Sequence, residues 1–398
     1  MRLEQLLLSA GLFVLIFSND ELHAVEIQVL GVIIVCVAAF ICVMRRKCKT
    51  HPITIFEVIM FIVIFFSYVS GIINGSAGYY TIIFTITYVA IMLIVRSFDE
   101  HELIQCIFVS IALSVVVVAV FYCDTIFEIL QPGAANRWEL RLSPFDMHPD
   151  LTGYVYGGFM IVIIFSDVAI GRATLYLKLL LATICMIVVL AASARAALIA
   201  MLFTLIAYGT RSVLYGAKSA AKVLSVVFAC AVFGIIYSGP IVMYLSEMLE
   251  LDSSSRGLDT GGSGRIELWQ QGIDLLANRT WELFIGSGLR SSSTDIIGFS
   301  TESSYITIII ESGMFVGVAL LIYMLSIILR KLTRTAISKF DSTVLYLVLF
   351  AMTQSIFNRY LIAIGNPMSL IVLMFISKEG LQQSGAKIDL ENTKTLAT

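Results

Sequence analysis

A polar stretch separates two apolar segments of this chain, and it contains four runs: Leu251-Asp252-Ser253-Ser254-Ser255-Arg256-Gly257, Ser263-Gly264-Arg265-Ile266-Glu267-Leu268-Trp269, Ile285-Gly286-Ser287-Gly288-Leu289-Arg290 and Thr301-Glu302-Ser303-Ser304-Tyr305. The stretch extends from about residue 243 to residue 317. A polar segment of this length must lie outside the bilayer, because hydrocarbon offers no hydrogen bonds to an irregular backbone. We expect any chemistry of the protein to take place here.

The composition is that of a polytopic membrane protein. Hydrophobic residues make up 59% of the 398 residues and charged residues only 14%, whereas about a quarter of the residues of a soluble domain are charged. The net charge of −2 indicates neither nucleic acid as a partner nor a polybasic membrane anchor. The seven cysteines show no disulfide framework and no metal-ligand spacing. We therefore expect no metal and no cofactor.

Twelve apolar segments have the length needed to cross about 30 Å of hydrocarbon, or nearly so. They lie near residues 3–19, 25–44, 53–73, 79–95, 103–123, 151–170, 174–192, 196–210, 223–245, 303–329, 342–360 and 364–377. The first follows a basic residue, as a signal peptide does, but no small-residue cleavage site comes after it, so we count it as a span. The sequence thus predicts an all-α polytopic integral membrane protein with about twelve transmembrane helices and a large helical loop between spans nine and ten.

Lysine and arginine in the short loops set the orientation, because both prefer the cytoplasmic side. With both termini in the cytoplasm, the cytoplasmic breaks collect these residues, and the short outer loops 19–24 and 74–78 carry none. The chain then divides into N-terminal transmembrane helices (1–123), a first outer loop (124–150), transmembrane helices six to nine (151–245), a large outer loop that carries the active site (246–302), C-terminal transmembrane helices (303–377) and a cytoplasmic tail (378–398).

In this topology the two basic residue types lie on different sides. All ten lysines fall on the cytoplasmic side, and the outer side carries arginines but no lysine. These arginines are Arg137, Arg141, Arg195, Arg256, Arg265, Arg279, Arg290 and Arg359. Guanidinium pairs with phosphate or carboxylate through a planar fork and stays charged when partly desolvated. Structural pairing with acids such as Asp150 explains most of them, and two or three remain as candidates for binding an anionic ligand.

Two of the outer arginines are the strongest candidates. Arg195 follows Ala191-Ala192-Ser193-Ala194 in a short turn between two spans, where a charge at membrane depth favours function over the alternative of snorkelling to headgroups. Arg265 follows a possible N-cap, Ser263, and opens an apolar stripe that predicts a helix ending near Asn278. Helix N-termini favour anions, so this position indicates a bound phosphate; an arginine paired with a nearby acid is an equal alternative.

The first outer loop also offers groups that suit a sugar phosphate. It contains Arg137 and Arg141 for an anion, two aromatic side chains that can stack on a sugar ring, and His148 among acids that include Asp150. A histidine with an ordinary pKa can transfer a proton near neutral pH. The alternative is that His148 and Pro149 only cap the next helix.

Further polar residues stand where the large loop meets the next span. Glu302 and Tyr305 lie at the mouth of that span, after a tight turn at Gly286-Ser287-Gly288. Glu311 lies deeper, on a different helical face from Glu302, because nine residues make two and a half turns. We interpret Glu311 as a polar contact between helices.

The order of these motifs resembles one superfamily of the bacterial envelope. The order is Ser193-Ala194-Arg195, a large outer loop, Ser263-Gly264-Arg265-Ile266 with Trp269, Phe284-Ile285-Gly286-Ser287-Gly288, Glu302-Ser303-Ser304-Tyr305 and Glu311-Ser312-Gly313-Met314-Phe315-Val316-Gly317. Over residues 190–330 this order and spacing resemble the O-antigen ligase and Wzy-type polymerase superfamily, and residues 1–130 contribute only hydrophobicity.

The resemblance implies a metal-independent, inverting glycosyltransferase at the periplasmic face of the bacterial inner membrane. Its donor would be an oligosaccharide on undecaprenyl pyrophosphate, and its partners would include membrane lipids and a chain-length regulator but no nucleic acid. Arg195 and Arg265 would bind the pyrophosphate, and Glu302 or His148 would take the acceptor proton. The residues expected to contact substrate are Arg137, Arg141, Asp150, Trp269, Arg290 and Tyr305.

A Wzy-type polymerase, which joins lipid-linked repeat units, has three alternatives. An O-antigen ligase would transfer the glycan to lipid A core, but ligases of this superfamily carry a histidine where this chain has Glu302. A polyprenyl-glycan flippase should show related halves and spans interrupted by glycine or proline, and the chain has only six prolines. A passive scaffold gives no reason for an outer face with arginine alone. The sequence therefore favours the polymerase.

Overall fold

The computed structural model describes residues 1–17, 24–45, 51–73, 79–131, 141–168, 172–215, 265–290, 301–363 and 365–396. These ranges are almost entirely helical and contain no strand. The α-helices are α1 Leu3–Val14, α2 Ala24–Met44, α3 Ile55–Ile73, α4 Tyr79–Ser97, α5 Glu100–Phe121, α6 Cys123–Leu130, α7 Pro149–Phe165, α8 Arg172–Ala191, α9 Arg195–Tyr215, α10 Arg265–Asn278, α11 Thr280–Ile285, α12 Ser304–Ser312, α13 Met314–Thr333, α14 Lys339–Gln354 and α15 Pro367–Leu396.

The predicted all-α membrane class is confirmed in its coarse form. In the described residues seven helices are long and apolar enough to cross a membrane: Glu26–Met44, Ile55–Ile73, Tyr80–Ser97, Glu100–Phe121, Ala173–Ala191, Arg195–Tyr215 and Met314–Thr333. Leu3–Phe17 and Pro149–Phe165 are shorter apolar helices. The predicted span 223–245 and most of the predicted loop 246–302 lie outside the described residues.

The predicted span 303–329 consists of two helices, α12 and α13, which meet at Gly313. The backbone of Gly313 has a φ of 82°, and a Cβ there would lie 2.2 Å from the carbonyl oxygen of Phe284. The loop at Gly286 therefore fits directly against this break: Ser287 N donates to the carbonyl of Ile310 at 2.7 Å, and Gly288 N donates to the carbonyl of Glu311 at 3.1 Å. Hydropathy alone does not detect a break between two apolar helices.

Three apolar helices form the centre of the bundle. Every residue of α7 from Thr152 to Ile163 is buried, and so are residues 343–352 of α14 and 367–377 of α15. These helices contact one another, and α7 also contacts α8 and α9. By contrast, α8 and α9 expose large apolar side chains such as Leu180 and Leu202, as helices that face lipid do. Residues at the start of α7 thus lie over the middle of the bundle.

The two ends of the bundle differ in their basic residues. We call one the lysine end, where the four lysines with described side chains lie: Lys178, Lys331, Lys339 and Lys378. There Lys339 pairs with Asp167 at 2.6 Å, and Lys378 Nζ donates to the carbonyl of Val95 in the last turn of α4 and to that of Phe98 just after it. We call the other the arginine end, where Arg141, Arg195, Arg265 and Arg290 lie. This separation agrees with the predicted one.

Candidate functional site

Asp150 is the centre of the site at the arginine end. It lies in the first turn of α7, and Pro149 fits the first helical position because its missing N–H would have no partner there. The Asp150 carboxylate accepts a hydrogen bond from Arg265 Nη2 at 2.6 Å. The two side chains are 9% and 19% exposed. The alternative of an arginine paired with a nearby acid is therefore realised, and the acid lies 115 residues earlier in the chain.

Arg141 makes a second contact with the same carboxylate. Its Nη2 lies 3.6 Å from Asp150 Oδ1, and the Arg141 side chain is only 6% exposed. Its Nε donates to the carbonyl of Ala192 at 3.0 Å, and its Nη2 donates to the carbonyl of Ser193 at 3.5 Å. Arg141 therefore joins Asp150 to the turn that precedes Arg195.

That turn is as tight as its alanines predict. Ser193 has a φ of 49°, in the left-handed region, and its amide donates to the carbonyl of Leu190 at 2.9 Å. A Cβ on Gly153 of α7 would lie 2.3 Å from the Cβ of Ala194, so only small residues allow α7 to approach so closely. Arg195 then begins α9. The turn thus brings the N-terminus of α9 beside the pair of Arg141 and Asp150.

The predicted helix at Arg265 is confirmed, and it extends over Arg265–Asn278 as expected. Ser263, the predicted N-cap, lies outside the described residues. The helix contacts α12 through Gly272, where a Cβ would lie 2.8 Å from Ile306. Ile266 and Ile273 are 55% and 57% exposed, so one apolar face of α10 points away from the protein, which suits a helix at a membrane surface.

Arg265 uses one nitrogen of its guanidinium group, Nη2, to bind Asp150. Its Nε and Nη1 groups make no hydrogen bond to any described residue, and its side chain is partly exposed. Because it occupies the first helical turn, the free backbone N–H groups there add to its attraction for anions. Arg265 can therefore hold Asp150 and a second anion together.

Glu302 has an unusual backbone and lies just before α12, which begins at Ser304. Its φ is 50°, which is uncommon for a residue with a side chain and often marks a functional position. Burial raises the pKa of Tyr360, which lies between α14 and α15, and the charges of Glu302 and Asp150 raise it further. Glu302 lies two residues before Ser304, whose hydroxyl donates to the carbonyl of Asn358, so Glu302 lies at the arginine end of the bundle.

His148 caps α7. Its Nδ1 accepts a hydrogen bond from the amide of Asp150 at 3.2 Å, as the capping alternative expects. His148 thus has the capping contact that the alternative to a catalytic role predicts.

The other described residues that are predicted to contact substrate lie against parts of the protein other than Asp150. Trp269 lies one turn after Arg265, and its ring is 6.2 Å from that of Phe357. The Tyr305 hydroxyl donates to the carbonyl of Met352 at 2.8 Å, which ties α12 to α14. The Arg290 guanidinium lies 4.6 Å from the ring centre of Tyr80, on α4. Arg137 lies outside the described residues.

The sequence analysis missed one segment of the site, residues 355–366. The predicted span 342–360 ends early, because α14 stops at Gln354. The Gln354 side chain donates to the carbonyl of Asp150 at 3.4 Å, and Ser304 at the start of α12 donates to the carbonyl of Asn358 at 2.6 Å. The signal in the sequence was the polar run at residues 354–360, which also contains Arg359.

The site could hold an anion, and nothing described resembles a metal centre. Among the described residues no three histidine, cysteine or acidic side chains converge as metal ligands do. Comparison with models of known protein families gives no match, and comparison with curated proteins gives no significant match.

Proposed function

We propose that this protein is a Wzy-type polysaccharide polymerase, which joins oligosaccharide repeat units carried on undecaprenyl pyrophosphate. The observation that carries the proposal is the contact of Arg141 and Arg265 with Asp150, beside the turn that leads into Arg195. These residues come from separate parts of the chain and meet at one end of an apolar bundle. A guanidinium cluster at such a place suits the phosphates of a lipid-linked substrate.

The surface next to Arg265 supports a ligand with an apolar tail. Ile266 and Ile273 are exposed on the same helix whose first residue is Arg265. An amphipathic helix of this kind lies in the interface between headgroups and acyl chains. A polyprenyl chain can therefore lie along the apolar face while its diphosphate reaches the arginines.

The reaction needs no nucleotide and no metal, because the donor already carries a good leaving group. A hydroxyl on the terminal sugar of one repeat unit attacks C1 of the donor sugar from the side opposite the diphosphate, so the configuration at C1 inverts. The bond between C1 and the diphosphate oxygen breaks, and its electron pair stays on that oxygen. The hydroxyl proton passes to the Glu302 carboxylate, and undecaprenyl diphosphate leaves.

The arginines lower the barrier by stabilising the charge of the leaving group. Negative charge grows on the diphosphate as the C1–O bond breaks, and donors that are already positioned stabilise it more than water does. Arg265 and Arg195 serve this role, and Asp150 keeps Arg265 and Arg141 in position. Asp150 is thus a positioning residue.

The same site would suit an O-antigen ligase, because the two enzymes use the same kind of donor and differ only in the acceptor molecule. Glu302 stands where ligases of the superfamily carry a histidine, and this favours the polymerase. A flippase is less consistent with the geometry, because transporter sites lie near the middle of the bilayer. The cluster around Asp150 lies instead at the end of α7.

We also propose the full topology: twelve spans, both termini in the cytoplasm, and residues 246–302 in the periplasm. Cysteines introduced at Ser143 and Lys339 test it, because these residues lie at the arginine end and at the lysine end. Ser143→Cys should react with an impermeant reagent added outside cells, and Lys339→Cys should react only after the cells are opened. The reverse result excludes the proposed active site from the periplasm.

Purified protein tests the activity directly. Given undecaprenyl-pyrophosphate repeat units from the cells that make the protein, with chelator and without nucleotide, it should produce a ladder of longer lipid-linked chains. A protein that forms no ladder but transfers the glycan to added lipid A core is a ligase. A protein that forms no product under either condition is neither enzyme.

A further inference from the structure

Five buried polar atoms at the arginine end have no hydrogen-bond partner among the described residues. Four belong to the segment 354–366, and the fifth belongs to Trp269, whose ring lies against Phe357 of that segment. The atoms are Gln354 Oε1, Ser355 Oγ, Asn358 Nδ2, Asn366 Nδ2 and Trp269 Nε1. Buried polar groups nearly always have partners, so five unpaired ones at the same end of the bundle need an explanation.

In each of the three amide side chains, the second polar atom makes a hydrogen bond within the protein, and this bond fixes the orientation of the amide. Gln354 Nε2 donates to the carbonyl of Asp150 at 3.4 Å. Asn358 Oδ1 accepts from the amide of Tyr360 at 3.1 Å, and Asn366 Oδ1 accepts from the amide of Met368 at 2.8 Å. The unpaired arms therefore keep their orientation for a partner that is not part of the protein.

We propose that these atoms form a subsite for a neutral sugar ring, the ring that carries the diphosphate of the donor. This assignment rests on the proposed function. The five groups are uncharged and include both donors and an acceptor. The hydroxyls of a sugar can both donate and accept, so they can satisfy such a mixed set. The rings of Trp269 and Phe357 add apolar surface for the C–H face of a sugar.

The position of the subsite identifies the ring. Trp269 follows Arg265 by four residues, which is about 6 Å along a helix. Gln354 contacts the backbone of Asp150, and the Asp150 carboxylate holds Arg265. The sugar next to the diphosphate is the part of the donor that lies within this distance of the arginine.

Two substitutions remove unpaired atoms of this set. Ser355→Ala deletes a hydroxyl with no partner among the described residues, and Trp269→Phe deletes the N–H but keeps an aromatic ring. Ser355→Ala should not lower the melting temperature, because it removes a buried polar atom that is unsatisfied in the folded chain. Trp269→Phe also shortens a ring that packs against Phe357, so its test is the difference in affinity between ligands and not its melting temperature. Ser166→Ala is the matched control, since Ser166 Oγ is also buried and unpaired but lies at the lysine end of α7.

Calorimetric titration of the full-length protein in detergent measures three ligands: the lipid-linked repeat unit, the repeat-unit oligosaccharide released from it, and undecaprenyl diphosphate. We expect Ser355→Ala and Trp269→Phe each to weaken binding of both sugar-bearing ligands by roughly threefold to tenfold, the range for one hydrogen bond. Their affinity for undecaprenyl diphosphate should equal that of the wild type, and Ser166→Ala should bind all three as the wild type does.

The outcomes separate the subsite from the proposed function. If the variants bind the oligosaccharide as well as the wild type does, ordered water satisfies these atoms and the subsite is rejected. Equal losses for undecaprenyl diphosphate also reject it, as does a wild type that binds undecaprenyl diphosphate but no oligosaccharide. A wild type that binds the oligosaccharide, more weakly in the variants, but not undecaprenyl diphosphate supports the subsite and overturns the polymerase.

Discussion

Asp150→Asn tests whether the arginine cluster depends on one carboxylate. The substitution keeps the size of the side chain and removes the negative charge that lies 2.6 Å from Arg265 and 3.6 Å from Arg141. Those arginine side chains are 19% and 6% exposed, so water compensates for the loss only in part. Breaking a buried ion pair in this way costs about 3–5 kcal/mol. We expect about 3 kcal/mol here, because Arg265 keeps some contact with solvent.

An added anion should restore much of this stability. At a hundred times its dissociation constant, a ligand that binds only the folded state contributes about 2.7 kcal/mol. Inorganic pyrophosphate should therefore nearly offset the loss in Asp150→Asn. The wild type should gain less, because the Asp150 carboxylate already pairs with the arginines and repels a second anion.

Thermal unfolding in detergent at low ionic strength, followed by tryptophan fluorescence, measures both effects. For a chain of this size we expect Asp150→Asn to melt about 3–4 °C below the wild type without pyrophosphate. Asp146→Asn is the control, because Asp146 lies in the same segment, is exposed, and makes no ion pair with a described residue. The reasoning is refuted if Asp150→Asn melts with the wild type, or if pyrophosphate stabilises both proteins equally.

Three further substitutions test the arginines, the base and the helix break. Arg265→Lys and Arg195→Lys should each slow the ladder at least about tenfold, because ammonium cannot form the two-pronged contact with phosphate, whereas Arg279→Lys should keep the wild-type rate. Glu302→Gln should lower kcat about a hundredfold to ten-thousandfold with an unchanged KM for the donor, and a wild-type rate would exclude Glu302 as the base. Gly313→Ala should lower the melting temperature far more than Gly317→Ala. A Cβ at position 313 would lie 2.2 Å from a carbonyl oxygen, whereas a Cβ at position 317 would lie 3.1 Å from its nearest neighbour. Equal losses would show that the helix break does not depend on this contact.

Features that depend on local pattern could be predicted from the sequence. The apolar runs predicted the membrane helices, because crossing hydrocarbon requires continuous apolar length. The stripe after Arg265 predicted the helix Arg265–Asn278, and the alanines around Ser193 predicted a turn that other groups approach closely. Each of these signals lies within a few residues of the feature that it predicts.

Features that depend on contacts between distant segments could not be predicted. Nothing near Arg265 in the sequence identifies Asp150 as its partner, because the two are 115 residues apart. Hydropathy averages over a window of residues. The predicted span 342–360 therefore extended beyond the end of α14 at Gln354, and the predicted span 303–329 included the break at Gly313. The sequence does not show which amide atoms of segment 354–366 lack a partner, because that depends on the hydrogen bonds that the other atom of each amide makes in the fold.

The carboxylate of Asp150 solves an electrostatic problem that any diphosphate site at a membrane must face. Arginines placed close together for the substrate repel one another when no substrate is bound, and burial makes this worse. Asp150 offsets part of that repulsion while leaving other N–H groups of Arg265 available. In the proposed polymerase reaction, the leaving diphosphate gains a negative charge when the C1–O bond breaks, so the arginines would attract it more strongly than they attract the bound donor. Under that proposal the cluster would stabilise the transition state more than the ground state, which is the condition for it to accelerate the reaction rather than merely bind the donor.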